Sequence, residues 1–196
     1  MRSQRYPVVT IGVLAATGVL TSLQFAFPDI VPLLERTPSA IEQHQWWRLI
    51  TPLFVHPEGW RQIAFNFSSI LILGTLVERL FGAWQCLGLY FVGGFVGELA
   101  GYAWKPVGAG ASVAGAGLLG AIALWLILGN RTTQAASGGV IILVGGTILT
   151  VTRDIHGPPI LAGALMAWSM RKNMKDRLGH QSKLSDEDSG EAKDSN

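Results

Sequence analysis

Six apolar stretches of helix length punctuate this chain, and they decide its class before any single residue does. They run about Val8–Phe27, Trp60–Val77, Ala83–Trp104, Ala109–Gly129, Ala136–Val151 and Pro158–Met170. A helix needs ~20 apolar residues to cross ~30 Å of hydrocarbon. The last two stretches are short for that task, and the fifth is rich in glycine and β-branched residues. Only 14% of the 196 residues are charged while 49% are hydrophobic, against roughly 25% charged in soluble domains. That apolar content excludes a disordered chain. A net charge of +2 with no basic stripe excludes a nucleic-acid partner. The single cysteine, Cys86, excludes an internal disulfide and a zinc–cysteine cluster. The expected fold is an all-α, multi-pass membrane protein, a six-helix bundle in a lipid bilayer.

The first stretch follows Arg2 and Arg5, as a secretory signal would. Its apolar run exceeds the usual length of about 7–15 residues, and no clear small-residue cleavage site follows, so it is read as a retained helix. Six spans put both termini on one side. Eight basic residues then lie near the spans on that side (Arg2, Arg5, Arg79, Arg131, Arg171, Lys172, Lys175, Arg177), against Arg36, Arg48, Arg61, Lys105 and Arg153 on the other. The bias places both termini in the cytoplasm, with the cell membrane as the expected location. Trp84 and Trp104 bracket the third span as an aromatic belt would. Residues 28–59 are too polar to span and form a long outer loop in which Trp46 and Trp47 can rest among headgroups. Residues 1–175 thus read as one membrane domain, and 176–196 as a polar, disordered tail.

Lipid gives helices no hydrophobic reason to associate, so small residues mark their contacts. Gly93, Gly97 and Gly101 recur at every fourth position of the third span, and Gly108, Ser112, Ala116 and Gly120 do so around the fourth. Polar groups at membrane depth are costly and point to function. Four stand out: Asn66, Glu98, Ser112 and His156. Asn66, Ser112 and His156 fall in the first turns of the three spans that run from the outer face inward, at one level.

Taken singly, Ser112 reads as a packing residue and His156 as the cap of a helix begun by Pro158 and Pro159. Together they can do acyl transfer. A serine hydroxyl needs a base to take its proton, and neutral imidazole suits that near pH 7. The resulting oxyanion needs fixed donors, which the Asn66 amide and the Ser112 backbone N–H can supply at a helix N-terminus. No carboxylate is obviously placed to orient His156, because Asp154 falls in the outer loop. Glu98 has no acid or lysine partner in its own span and is expected to act as a buried hydrogen-bonding strut.

From Trp47 to Trp168 the chain resembles the rhomboid intramembrane serine proteases. Trp47-Arg48 followed by Leu-Ile-Thr-Pro-Leu-Phe-Val-His56 is similar to the family's outer-loop Trp-Arg and its entry to the second span. Asn66 falls at the oxyanion asparagine. Gly74-x3-Glu78-x3-Gly82 is similar to the family pattern ending that span. Gly110-Ala111-Ser112 with Gly117-Leu118-Leu119-Gly120 resembles the nucleophile motif, and His156 with Gly163 resembles the base and a packing glycine. The resemblance implies a six-helix bundle with a Ser112–His156 dyad in a cavity open outward, no cofactor, and transmembrane proteins as substrates. It also implies a fifth span acting as a lateral gate, loosely packed through Gly138, Gly139, Gly145 and Gly146. Four positions depart from the family. Val113 replaces the glycine after the serine, which implies a differently aimed backbone N–H. Ala116 replaces a frequent aromatic, Pro159 replaces a glycine, and Gln62 stands for a second oxyanion-side histidine while still able to donate. Two other readings fit the same spans: an inactive family member that binds helices without cutting them, and a small transporter with Glu98 as its ion site.

Overall fold

All six apolar stretches are helical in the computed structural model, which describes residues 6–104, 107–129 and 132–170. In chain order these are α1 (Val8–Ala26), α4 (Trp60–Phe81), α5 (Ala83–Trp104), α6 (Ser112–Leu128), α7 (Thr133–Val151) and α8 (Gly157–Ser169). Between the first two lie α2 (Ile30–Leu34), α3 (Pro38–Glu42) and two short 3₁₀ turns, Trp46–Leu49 and Thr51–Phe54. By length and composition α1, α4, α5 and α7 can cross a membrane. At 17 and 13 residues, α6 and α8 rise only about 26 and 20 Å. Of the basic residues invoked for orientation, Arg2, Arg5, Lys105, Arg131, Arg171, Lys172, Lys175 and Arg177 lie outside the described residues, as does the tail at 176–196.

The helix ends differ from the expected ones for local reasons. Helix α4 runs four residues past Val77 and stops at Gly82, whose φ of +104° suits glycine. Helix α6 starts at Ser112 instead of Ala109, because Gly110 turns to φ +138° and its N–H bonds the Pro52 carbonyl at 2.8 Å. Helix α7 begins three residues early, with the Thr132 hydroxyl accepting from the Ala135 N–H at 3.3 Å.

Helix α6 is apolar all round, and accordingly it is the central post, packed by α4, α5, α7 and α8. Its small residues set the distances. A Cβ on Gly93 of α5 would stand 2.7 Å from the Gly117 Cα, and one on Gly163 of α8 would stand 1.9 Å from the Gly117 carbonyl oxygen. The glycine stripe of α5 is not purely a helix seam, however. Gly97 makes room for Val113, and Gly101 for the guanidinium of Arg36. The glycines of α7 also divide: Gly139 and Gly146 close on Ala123 and Ile160, whereas Gly138 and Gly145 meet nothing. Half of the expected looseness is therefore close contact. Ile141, Val144 and Ile148 on the outer side of α7 are exposed and apolar, as a lipid-facing surface requires.

Helix α1 is pinned to α4 by one carboxylate. Glu78 accepts from the backbone N–H groups of Val9 (3.0 Å) and Thr10 (2.9 Å) and from the Thr10 hydroxyl (2.9 Å). It thereby satisfies two otherwise orphaned donors at a helix N-terminus, where negative charge is favoured. Gly74, one turn earlier, leaves the space Thr10 occupies.

The outer loop is ordered by buried polar groups. Arg48 donates to the carbonyls of Pro32 (2.7 Å) and Glu35 (2.9 Å) and to Gln45 Oε1 (2.7 Å). Trp46 and Trp47 remain exposed beside it, as headgroup contacts would be. Arg36 is buried, ion-paired to Glu98, and joined to Gly108 by two backbone hydrogen bonds of 2.9 and 3.3 Å. Glu98 is thus the strut expected, with its partner in the loop instead of its own span.

His56 is fully buried just before α4, its Nδ1 3.2 Å from the Thr21 hydroxyl and its backbone held by both ends of the Gln24 amide. Burial pushes its pKa down from 6.5 to about 4. The fold therefore holds His56 neutral while the unfolded chain protonates it. Stability present above pH 6.5 is lost as pH falls towards 4, by roughly 3 kcal/mol in all. Denaturation in detergent between pH 7 and 4 should show this slope, and His56→Gln should flatten it.

Candidate active site

Two helix starts and one helix face build the site. The sharp turn at Gly110 places Ser112 at the first position of α6. A side chain at Gly110 is doubly excluded, since its Cβ would stand 2.7 Å from Gln62 Nε2 and 3.3 Å from Asn66 Nδ2. The α4 amides thus lie directly against the backbone that leads into Ser112. Gln62 Nε2 donates to the Ala109 carbonyl at 2.8 Å, and its Oε1 accepts from the Glu58 N–H at 3.1 Å. Asn66 is 1% exposed, and neither its nitrogen nor its oxygen has a protein partner. A buried primary amide left unpaired costs free energy, roughly 1–3 kcal/mol per group.

His156 occupies the N-cap position of α8, yet its side chain makes no capping bond. Its ring bridges two other groups. Nε2 lies 2.9 Å from Ser112 Oγ, across 44 residues of sequence, and Nδ1 lies 2.7 Å from Asp154 Oδ1. A carboxylate can only accept, so Nδ1 carries a proton, and in the neutral imidazole Nε2 then presents its lone pair to the serine hydroxyl. The His156 and Asp154 side chains are 37% and 36% exposed, so water reaches the pair.

Asp154 corrects the reading that no carboxylate orients His156. It does lie in the loop after α7, but that loop folds back so that the Asp154 carboxylate meets the His156 ring, two residues on. The Asp-x-His spacing ahead of a Pro-Pro helix start was the available signal. Val113 and Pro159, two of the departures from the family pattern, converge on one notch. A Cβ on Gly97 would stand 2.4 Å from Val113 Cβ and 3.0 Å from Pro159 Cγ. The Val113 side chain is thereby stowed against α5. Of the remaining sequence candidates, Arg48 is buried in the outer loop, where Trp47 stays exposed, Glu78 lies at the α1–α4 junction and Gly163 at the α6–α8 crossing. Among the described residues no group of three or more acidic, histidine or cysteine side chains is gathered to hold a metal.

Residues 43–173 match the family model described as the Rhomboid domain. The chain belongs to the rhomboid family, whose members act on membrane proteins within the bilayer. It is 39% identical over 107 residues to the rhomboid protease GluP of Bacillus subtilis (strain 168), a match covering 54% of this chain and 21% of that one. It is 33% identical over 153 residues to YdcA of the same bacterium, covering 74% and 75%. With rhomboid-like protease 3 of Toxoplasma gondii the identity is 31% over 152 residues, covering 70% and 56%. The chain thus matches about a fifth of GluP and three quarters of YdcA. It is an integral membrane protein of an intramembrane protease family.

Proposed function

We propose that this protein is an intramembrane serine endopeptidase in which Ser112 is the nucleophile and His156 the general base, then the general acid. The observation that carries the reading is the 2.9 Å contact between His156 Nε2 and Ser112 Oγ, made by two different helix starts. As Oγ attacks a peptide carbonyl, its proton passes to Nε2. The tetrahedral oxyanion is held by the Asn66 amide, with the Ser112 backbone N–H, free at the start of α6, and the second Gln62 amide hydrogen beside it. The imidazolium returns its proton to the departing amine as the C–N bond breaks. Water, deprotonated by His156, then hydrolyses the acyl-enzyme.

The substrates are transmembrane segments of other proteins. An intact helix hides its carbonyls in its own hydrogen bonds, so cleavage falls where small or helix-breaking residues let it unwind. Both termini lie in the cytoplasm and the site opens to the opposite side. The transporter alternative loses its ion site, because the Glu98 carboxylate is committed to Arg36.

Purified protein in detergent or liposomes should cleave a transmembrane substrate carrying a helix-destabilising segment. Ser112→Ala and His156→Ala should each lower the rate by at least about 10³-fold, and Asn66→Ala by about 10²-fold. Cleavage that survives Ser112→Ala, or a wild type that cuts none of several unstable helices, overturns the proposal.

A further inference from the structure

The end of α7 is folded in a way that serves His156. Arg153 adopts φ +59°, a left-handed conformation that costs a non-glycine residue about 1 kcal/mol. The turn is closed by two hydrogen bonds, Arg153 N–H to the Thr150 carbonyl (3.1 Å) and Asp154 N–H to the Leu149 carbonyl (2.8 Å). That closure delivers Asp154 back towards the start of α8. One carboxylate oxygen, Oδ1, then accepts from both the backbone N–H of His156 (3.0 Å) and its ring Nδ1 (2.7 Å). The ring is therefore fixed against its own backbone while Nε2 is aimed at Ser112.

We infer that Asp154 is a positioning residue, which holds His156 in the Nδ1–H tautomer and supports its positive charge when Nε2 takes the serine proton. The inference rests on the assignment of Ser112 and His156 above. Two weak points of the pair explain the need. His156 is more than a third exposed, so its ring can turn into water, and Ala116, one turn after Ser112, offers only a methyl group. During attack the Oγ proton moves to Nε2 as the Oγ–C bond forms. The Nδ1 proton stays on the ring, shared with Asp154, which remains a carboxylate throughout. The charged residues next to His156 on its own segment are Asp154 and Arg153. Of the helices packed against α8, α6 brings Ser112 and Val113, and α7 brings Thr150 beside Gly157 with no charged side chain along its length. On α5 lies Gly97, with Glu98 paired to Arg36.

Asp154→Asn removes the charge while its amide oxygen keeps both bonds to His156, and Asp154→Ala removes the acceptor altogether. The Asp154→Asn variant should keep the wild-type melting temperature and KM while kcat falls roughly 10- to 100-fold, less than for a fully buried carboxylate. The acid limb of its pH–rate profile should move to lower pH, and Asp154→Glu should recover part of the rate. Nitrogen-15 spectra of histidine-labelled protein supply a readout independent of turnover, with the signal identified by its loss in His156→Gln. The wild type should show the Nδ1–H form, and Asp154→Ala, which lacks the acceptor, a mixture of the two tautomers. If the tautomer behaves this way in a protein that cleaves nothing, the positioning role stands and the protease reading fails. Unchanged kcat and pH profile in Asp154→Asn, or an unchanged tautomer in Asp154→Ala, would overturn the inference.

Discussion

Gly163→Ala should separate the two helices that carry the serine and the histidine. The added methyl would stand 1.9 Å from the Gly117 carbonyl oxygen, and Gly120 is equally close to the Ile160 carbonyl a turn away. Neither obstacle is a flexible side-chain tip; both are backbone inside packed helices, so α8 must move away from α6. Overpacking of cores ordinarily costs about 1–3 kcal/mol, and a backbone collision belongs at the upper end. For a chain of this size 3 kcal/mol corresponds to a fall in melting temperature of roughly 6–12 °C. Cleavage should suffer as well, because moving α8 lengthens the Ser112–His156 contact. Gly145→Ala is the matched control. It also adds a methyl to a glycine in a helix, but it meets nothing, so melting should hold or rise slightly through better helix propensity. Thermal unfolding in one detergent tests both. A Gly163→Ala protein melting within a degree of wild type would mean that α6 and α8 are not held this closely.

The second large effect is expected at Glu98. Arg36 is 2% exposed and leans into the space left by Gly101 and Gly108, with its charge matched by the Glu98 carboxylate. Removing one partner of a buried pair leaves an uncompensated charge and costs about 3–5 kcal/mol. Glu98→Ala should therefore destabilise strongly, and Glu98→Gln, which keeps the shape without the charge, nearly as much. Activity should fall further than stability alone explains. The backbone of Arg36 is bonded to Gly108, two residues before the Gly110 turn that presents Ser112. Loosening the pair thus frees the segment that positions the nucleophile. The double variant Arg36→Met with Glu98→Leu should regain much of the stability, because no lone charge is left inside. A Glu98→Gln protein as stable and active as wild type would contradict the role of the pair.

The bundle was legible because its signal is crude and repeated: apolar runs of span length with little charge between them. Asn66, Ser112 and His156 stood out for the same reason, since a polar side chain in an apolar run has few excuses. Arg36 was not legible, because it lies in a polar loop where a charged residue is ordinary and its partner is a tertiary fact. Asp154 lies in a polar loop too, and only its Asp-x-His spacing hinted at its partner. Glu98 was visible as an anomaly, but its partner sits 62 residues away, beyond the reach of any helical spacing. The departures at Val113 and Pro159 looked like two separate defects in the sequence. In three dimensions both rest on Gly97, so one notch in α5 accommodates the pair. Helix ends moved by three or four residues wherever a positive φ or a threonine cap set them, as at Gly110, Gly82 and Thr132.

The central claim is that the Ser112 hydroxyl is activated by His156. The most direct measurement is to treat the membrane-embedded protein with a fluorescent fluorophosphonate and locate the adduct by mass spectrometry. One adduct is expected, on Ser112, forming at least about 10²-fold more slowly in His156→Ala and not at all in Ser112→Ala. Labelling that persists in Ser112→Ala, or an intact wild-type protein that takes up no phosphonate, would contradict the account.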